Sequence, residues 1–232
     1  MNLKLYYNKY IVYNMQDKIK GKLNNALAIF NNIIESDECQ KLIKVLKYVN
    51  DQTFIFSGVG KNWYICEKEV KTFISMGLNA KSLDCTHALH GDLGMLMNNK
   101  ELKYIFFVSK SGKTNEMHKL IDVIVDLKEK NIIKNINLIM LCLNPTIEDS
   151  IDATKFEFIL KPSIEFKDIA NIELDDRNLI PTLSINITQS VLDYIGVNIY
   201  ENNSELIENY KYNHLGGSNG RALGMEKYLE EI

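Results

Sequence analysis

Apolar residues recur at helical spacing twice near the start of the chain. They fall at Leu23, Ala26, Leu27, Phe30, Ile33 and Ile34, and again at Cys39, Leu42, Ile43, Leu46 and Val49. Between them Glu35-Ser-Asp-Glu38 supplies turn and N-cap chemistry, so two helices are predicted to lead into the domain. A short apolar strand, Thr53 to Phe56, then runs into a Gly-containing turn, and Trp63, Cys66, Val70, Phe73 and Ile74 form a further helical stripe. The same grammar repeats. KYIFFVSKSGKTNE reads as strand and polar Gly turn, followed by a helix faced by Met117, Leu120, Ile121, Ile124 and Leu127. INLIMLCLNPT is a third strand, FEFIL (Phe156 to Leu160) a fourth, and Ile187, Val191, Leu192, Ile195 and Ile199 line a late helix. Nearly continuous apolar strands alternating with helices predict an α/β fold, a doubly wound parallel sheet flanked by helices. Ligands of such sheets bind beyond the carboxyl ends of the strands, where these Gly turns lie.

Composition narrows the classes. The chain has 232 residues, 46% hydrophobic and 25% charged, which suits one soluble domain. A net charge of −3 argues against a nucleic-acid partner, since phosphate-backbone affinity needs clustered Lys and Arg. Cys39, Cys66, Cys85 and Cys142 show no metal-type spacing and are expected as buried thiols in a reducing compartment. The N-terminus has no secretory pattern and no apolar run approaches a bilayer-spanning length, so a cytoplasmic protein with no membrane partner is expected.

Phe106 to Glu116 contains the letters Gly-Lys-Thr, which raises the question of an ATP-binding P-loop. That motif requires a Gly five positions before Gly112, and the residue there is Phe107, inside the strand. The Gly58–Asn62 turn fails the dinucleotide fingerprint as well, because its third Gly position is Trp63. What remains is Ser109, Ser111 and Thr114 around Gly112, just before a helix start. Backbone N–H groups, the helix dipole and three hydroxyls suit one terminal phosphate of a small molecule. A Ser-rich N-cap turn is the plainer alternative.

GVGKN (58–62), HGDLGM (90–95), SKSGKTNE (109–116), IPT (180–182) and HLGGSNGR (214–221) appear in that order. The series resembles the sugar isomerase (SIS) domain, and within it the arabinose 5-phosphate isomerases, whose pattern runs GxGKS, HGDLG, SxSGxT, APTxS and HPGGxLGR. Asn62 stands for the family Ser, Lys113 for a Glu and Leu215 for a Pro, and "LSI" follows the Thr of IPT. The resemblance implies a flavodoxin-like three-layer fold, with residues 1–40 a helical lead-in and 41–232 the SIS domain. Because the chain ends soon after Arg221, the paired CBS regulatory domains of many bacterial members are expected to be absent.

The implied chemistry interconverts D-arabinose 5-phosphate and D-ribulose 5-phosphate through an enediol, and by family implication feeds synthesis of 3-deoxy-D-manno-octulosonate. It requires a base at the reacting carbons, a proton carrier at the oxygens, stabilisation of the enediolate and a phosphate anchor. No metal or cofactor is required. By resemblance Lys61, Glu116, Glu173 and His214 are the candidate catalytic residues. Gly60, Asn62, His90, Asp92, Ser109, Ser111, Thr114, Thr182 and Arg221 are the candidate substrate and phosphate ligands. Counting back from Pro181 selects Glu173, whereas counting forward from FEFIL selects Glu165, and the downstream motif is the better anchor. In the family the motif histidine reaches a neighbouring subunit's active site, which implies a homo-oligomer, a tetramer by resemblance. Asp84, Cys85, His87, His90 and Asp92 resemble a metal cluster, but no standard spacing fits them. His87 and His118 read as ordinary surface or helix residues. Two alternatives stay open: an isomerase of another sugar phosphate, and a non-catalytic sugar-phosphate sensor.

Overall fold

The computed structural model describes residues 3–46, 52–163, 165, 171–225 and 227–230. Helices α1 (Leu3–Ile34) and α2 (Asp37–Leu46) come first, and the Ser36 hydroxyl accepts the Cys39 N–H at 3.2 Å to cap α2. Strands and helices then alternate as β1 (Gln52–Gly58), α3 (Lys61–Ser75), β2 (Ala80–Ser82), β3 (Leu102–Ser109), α4 (Asn115–Glu129), β4 (Ile136–Cys142), β5 (Phe158–Leu160) and α5 (Leu183–Glu201). Three short helices follow, α6 (Ser204–Asn209), α7 (Gly217–Ala222) and α8 (Lys227–Glu230).

The five strands are all parallel, in the order β2-β1-β3-β4-β5. This is the doubly wound, flavodoxin-like order. The chain winds from β1 to β2 on one side and from β3 to β4 on the other, which sends α3 and α4 to opposite faces. Side-chain alternation along the strands feeds two cores. Phe54, Phe56, Tyr104, Phe106 and Val108 pack with α2, α3, α5 and the Ala26, Ile29 and Ile33 face of α1. Ile55, Ile105, Phe107, Leu138 and Met140 pack with Met117, Leu120, Ile121 and Ile124 of α4. The sheet is thus buried on both sides, as near-continuous apolar strands require.

Several details depart from the pattern reading. Only four strands are legible in the sequence; β2 is three residues long, Ala-Lys-Ser, too short to show a period. The FEFIL strand begins at Phe158. In α1 Leu23 and Leu27 are exposed while Ile29 is buried, and in α3 Ile74 is exposed while Ile65 and Glu69 are buried. Helix α3 lies against both the sheet and α5, so a second arc of it is covered. Val49 lies outside the described residues. All four cysteines are free and buried. Among the described residues no helix is long and apolar enough to cross a membrane.

Candidate active site at the carboxyl edge of the sheet

Strand order reverses between β1 and β3, and these strands end flush, with Gly58 opposite Val108. The two turns that follow therefore leave the sheet side by side, at the topological switch point where doubly wound folds bind ligands. After β1 the chain passes Gly60 and enters α3 at Lys61, which is exposed at the helix's first position. No acidic residue lies in that first turn. A cation at the positive end of a helix is locally unfavourable, so Lys61 and the α3 dipole together present positive potential to the cleft. Asn62 is half-buried beside it.

After β3 the loop Ser109–Thr114 leads to the N-terminus of α4. Gly112 has φ +70°, a conformation that favours glycine, and a Cβ there would have to displace the Ile147 Cδ1 methyl, 2.1 Å away. Ser109 is buried and its Oγ accepts the Gly112 N–H at 3.0 Å, while the exposed Ser111 Oγ accepts the Lys113 N–H at 3.1 Å. Two of the N–H groups expected to face an anion are thus already met by the loop's own hydroxyls. Each hydroxyl keeps its proton to donate onward. Thr114 is the N-cap of α4 but makes no side-chain cap bond, so its hydroxyl is available to a ligand. Glu116 lies in the first turn, exposed, and its carboxylate makes no hydrogen bond or ion pair with another described residue.

A third segment, following β5, reaches this edge. Glu173 is fully buried, and both of its oxygens are engaged. Oε1 accepts from Lys110 Nζ at 2.8 Å, and Oε2 accepts the N–H groups of Thr182 at 2.7 Å and Ser184 at 3.3 Å. The Thr182 hydroxyl donates to Oε2 at 3.2 Å and accepts the Leu174 N–H at 3.0 Å. Burial works to raise the Glu173 carboxyl, but the Lys110 ammonium and these donors prevail and hold it below the ordinary carboxylate range. The knot joins the phosphate-type loop, through Lys110, to the start of α5. Lys22 of α1 secures it from outside by donating to the Glu173 and Asp175 carbonyls. Glu165, the other sequence candidate, is exposed and takes a 2.8 Å bond from the Ser163 hydroxyl.

The HGD segment follows β2 as two short 3₁₀ turns, Ala88–His90 and Asp92–Leu96, with His90 and Asp92 exposed. Its base is fixed by buried contacts: Ser57 Oγ donates to the Leu83 carbonyl at 2.6 Å and lies 3.1 Å from Cys85 Sγ. Burial, opposed by the Ser57 bond and reinforced by the Asp84 and Glu116 charges, pushes the Cys85 thiol up to about 11. Asp84 is held by the Thr86 N–H and hydroxyl, both at 2.6 Å, with His87 Nδ1 at 3.2 Å. A separate cavity of ≈570 Å³ opens beyond β5, lined by Glu35, Asp37, Lys161 and Ser163 among others, and it gathers none of the motif residues.

His214 is elsewhere. Asn213 donates to the Ser75 carbonyl at 3.3 Å, which sets the neighbouring His214 by the C-terminal end of α3, at the amino edge of the sheet. Lys61 and that end are the two ends of the fifteen-residue helix α3, about 21 Å apart. The ring stacks on Tyr210 with centroids 4.1 Å apart, and Nδ1 lies 3.1 Å from the Tyr210 carbonyl. A carbonyl only accepts, so Nδ1 carries the proton and Nε2 is the basic nitrogen of the neutral ring. Gly220 lets α7 fold back tightly, because a Cβ there would meet the Leu215 carbonyl oxygen at 2.5 Å. Arg221 is exposed on α7. One chain thus gathers GVGKN, HGD, SKSGKTNE and IPT at one edge and leaves HLGGSNGR at the other.

Two residues at this edge carry no sequence signal, Lys110 and His118. Lys110 is silent because its partner is 63 residues away. His118, an ordinary helix residue by pattern, has Nε2 2.6 Å from the Gly112 carbonyl.

No family model matches the chain. The arabinose 5-phosphate isomerase KpsF of Escherichia coli is 27% identical over 198 residues, covering 85% of this chain and 54% of the relative. The chain spans about half the length of the curated relatives it matches. A solved Bacteroides fragilis structure shares the fold with a TM-score of 0.68 at 24% identity, covering 88% of this chain and 97% of that one. A solved protein from E. coli CFT073, in complex with arabinose 5-phosphate, matches with a TM-score of 0.61 at 25% identity, covering 87% and 93%. The chain is therefore similar to arabinose 5-phosphate isomerases in sequence, and it has the three-layer α/β fold of phosphosugar isomerases.

Proposed function

We propose that the chain is an aldose–ketose isomerase interconverting D-arabinose 5-phosphate and D-ribulose 5-phosphate. The observation that carries the reading is the switch-point cleft. There an uncommitted carboxylate, Glu116, stands at the mouth of a hydroxyl-lined loop and a helix N-terminus, beside the loop that carries Lys61. The similarity to arabinose 5-phosphate isomerases, and to a structure in complex with arabinose 5-phosphate, supports the choice of substrate.

In this reading the Ser111 and Thr114 hydroxyls and the α4 N-terminus hold the phosphate, and Ser109 shapes the loop from within. Asn62, Gly60, His90 and Asp92 line the sugar's path. Glu116 removes the C2 proton of the open-chain aldose, the electrons move to give an enediolate, and Glu116, its carboxyl proton having exchanged with solvent, delivers a proton to C1. The Lys61 ammonium stabilises the enediolate oxygen. The oxidation level is redistributed within the sugar, so electrons balance without an external acceptor. Glu173 serves as a positioning residue, since both its oxygens are occupied by Lys110 and the start of α5. The same engagement assigns Thr182 to positioning.

His214 cannot reach its own chain's Lys61 across the length of α3. Its Nε2 instead carries the proton between O1 and O2 in the cleft of a second copy, and catalysis is the property of a homo-oligomer. This is testable by mixing. Lys61→Ala and His214→Ala are each expected to be inactive. Co-refolded in equal amounts they should regain about a quarter of wild-type turnover, the statistical share of sites that draw Lys61 from a His214→Ala chain and His214 from a Lys61→Ala neighbour. No recovery in a confirmed mixed oligomer would contradict the shared site.

A further inference from the structure

Glycine at position 112 solves a steric problem and creates a conformational one. Its positive φ favours glycine, and a Cβ would have to displace the Ile147 methyl, yet a glycine leaves the 112–113 peptide free to turn over. Two contacts hold that peptide from its two ends. Ser111 Oγ accepts the Lys113 N–H at 3.1 Å, and His118 Nε2 lies 2.6 Å from the Gly112 carbonyl oxygen. A carbonyl only accepts, so Nε2 must carry a proton and donate. The ring is well placed to do so. His118 is half-buried on α4, and its own N–H is bonded to the Thr114 carbonyl at 3.1 Å, one helical turn above the loop. If the peptide turned over, a carbonyl oxygen would stand where Ser111 now meets an N–H, and it would take the hydroxyl proton that Ser111 otherwise has to offer an anion.

We propose that His118 is a positioning residue for phosphate recognition. By donating from Nε2 to the Gly112 carbonyl it holds the 112–113 peptide with its N–H on Ser111 Oγ, which leaves that hydroxyl's proton to donate to the anion, an inference that rests on reading this loop as the phosphate site. His118 does not touch substrate; it acts through the loop.

Titration calorimetry with inorganic phosphate, together with kcat and KM for D-arabinose 5-phosphate, tests it on the full chain. His118→Ala and His118→Asn are expected to weaken phosphate binding and raise KM by about tenfold, the loss of one well-made hydrogen bond, with kcat changed less than about twofold. His118→Gln, whose carboxamide N–H can reach the same carbonyl, should recover most of that loss. Circular dichroism checks each variant's fold, and if Ala is not folded the Asn and Gln pair carries the comparison. Phosphate affinity unchanged from wild type in a folded Ala or Asn variant would overturn the inference alone, as would Gln being as impaired as Ala or Asn. Absence of phosphate binding by the wild type would overturn the sugar-phosphate reading, and this inference with it.

Discussion

Replacing Glu116 by Gln is expected to lower kcat by about 10³-fold, within the range that removal of a general base costs. Inorganic phosphate should bind as it does to wild type. Glu116 and Glu173 are both carboxylates near the same loop, and only their surroundings separate their jobs. A base must have a lone pair to offer. Glu173 has committed both oxygens to Lys110 and to the N–H groups of Thr182 and Ser184. Glu116 is exposed and engaged by no other described side chain or N–H. Gln keeps its shape and its place in the first turn of α4 but cannot accept a proton at neutral pH. Turnover within tenfold of wild type would exclude Glu116 as the base. Loss of phosphate binding in step with turnover would make it a structural residue.

The second large effect concerns stability, and it lies away from the cleft. Glu69 is buried in the middle of α3, facing α5. Its Oε1 takes a 3.0 Å bond from Lys68, but Lys68 also bonds Asp193 of α5, and Oε2 is buried without a partner among the described residues. Burial, with the Asp193 charge added to it and Lys68 only partly opposing, pushes the Glu69 carboxyl up to about 7 from an ordinary 4.5. Between those two values the folded chain holds a proton that the unfolded chain has released. Stability therefore falls as pH rises through this window, and the full loss is in place above about pH 7. At 1.36 kcal/mol for each pH unit, the span amounts to about 3 kcal/mol.

Glu69→Gln removes the titration and should leave the variant more stable than wild type at pH 8 by an amount of that order. The gap should close toward pH 4.5. Urea unfolding of both proteins at pH 5, 6.5 and 8 measures it. A difference in stability that does not change with pH would show that Glu69 is already charged and satisfied in the folded chain.

The fold is legible in the sequence wherever burial imposes a period. Phe54 to Phe56, Tyr104 to Val108 and Leu138 to Cys142 are apolar on both faces because helices cover both, and α4 and α5 each show one buried stripe. β2 is not legible, since an edge strand of three residues needs only one partner and shows no alternation. Phe156 and Glu157 read as strand; the register with β4 begins at Phe158, and the Glu157 N–H makes the bond just before it, to the Leu138 carbonyl at 2.9 Å. Glu69 breaks the α3 stripe for a different reason: its burial depends on where α5 docks, and local sequence does not carry that.

The candidate site divides the same way. Motif residues adjoining strand ends can be placed from order alone, because parallel winding brings successive carboxyl ends to one edge. Interactions closed over long separations cannot. Lys110 and Glu173 meet across 63 residues, and the position of His214 at the amino edge follows from the return of the chain through α6, which packs on α5, to the Asn213 bond at the end of α3. His118 is hidden by its ordinary place on a helix. Its role is visible only once the Gly112 carbonyl is seen to point at it.

Proton NMR of D-arabinose 5-phosphate incubated with the purified protein in D2O tests the proposed isomerisation most directly. The expected result is loss of the C2 proton signal together with the appearance of D-ribulose 5-phosphate carrying solvent deuterium at C1. Retention of the C2 proton with no ketose formed, while a thermal shift shows that the sugar phosphate is bound, would contradict it and leave a binding module in place of an isomerase.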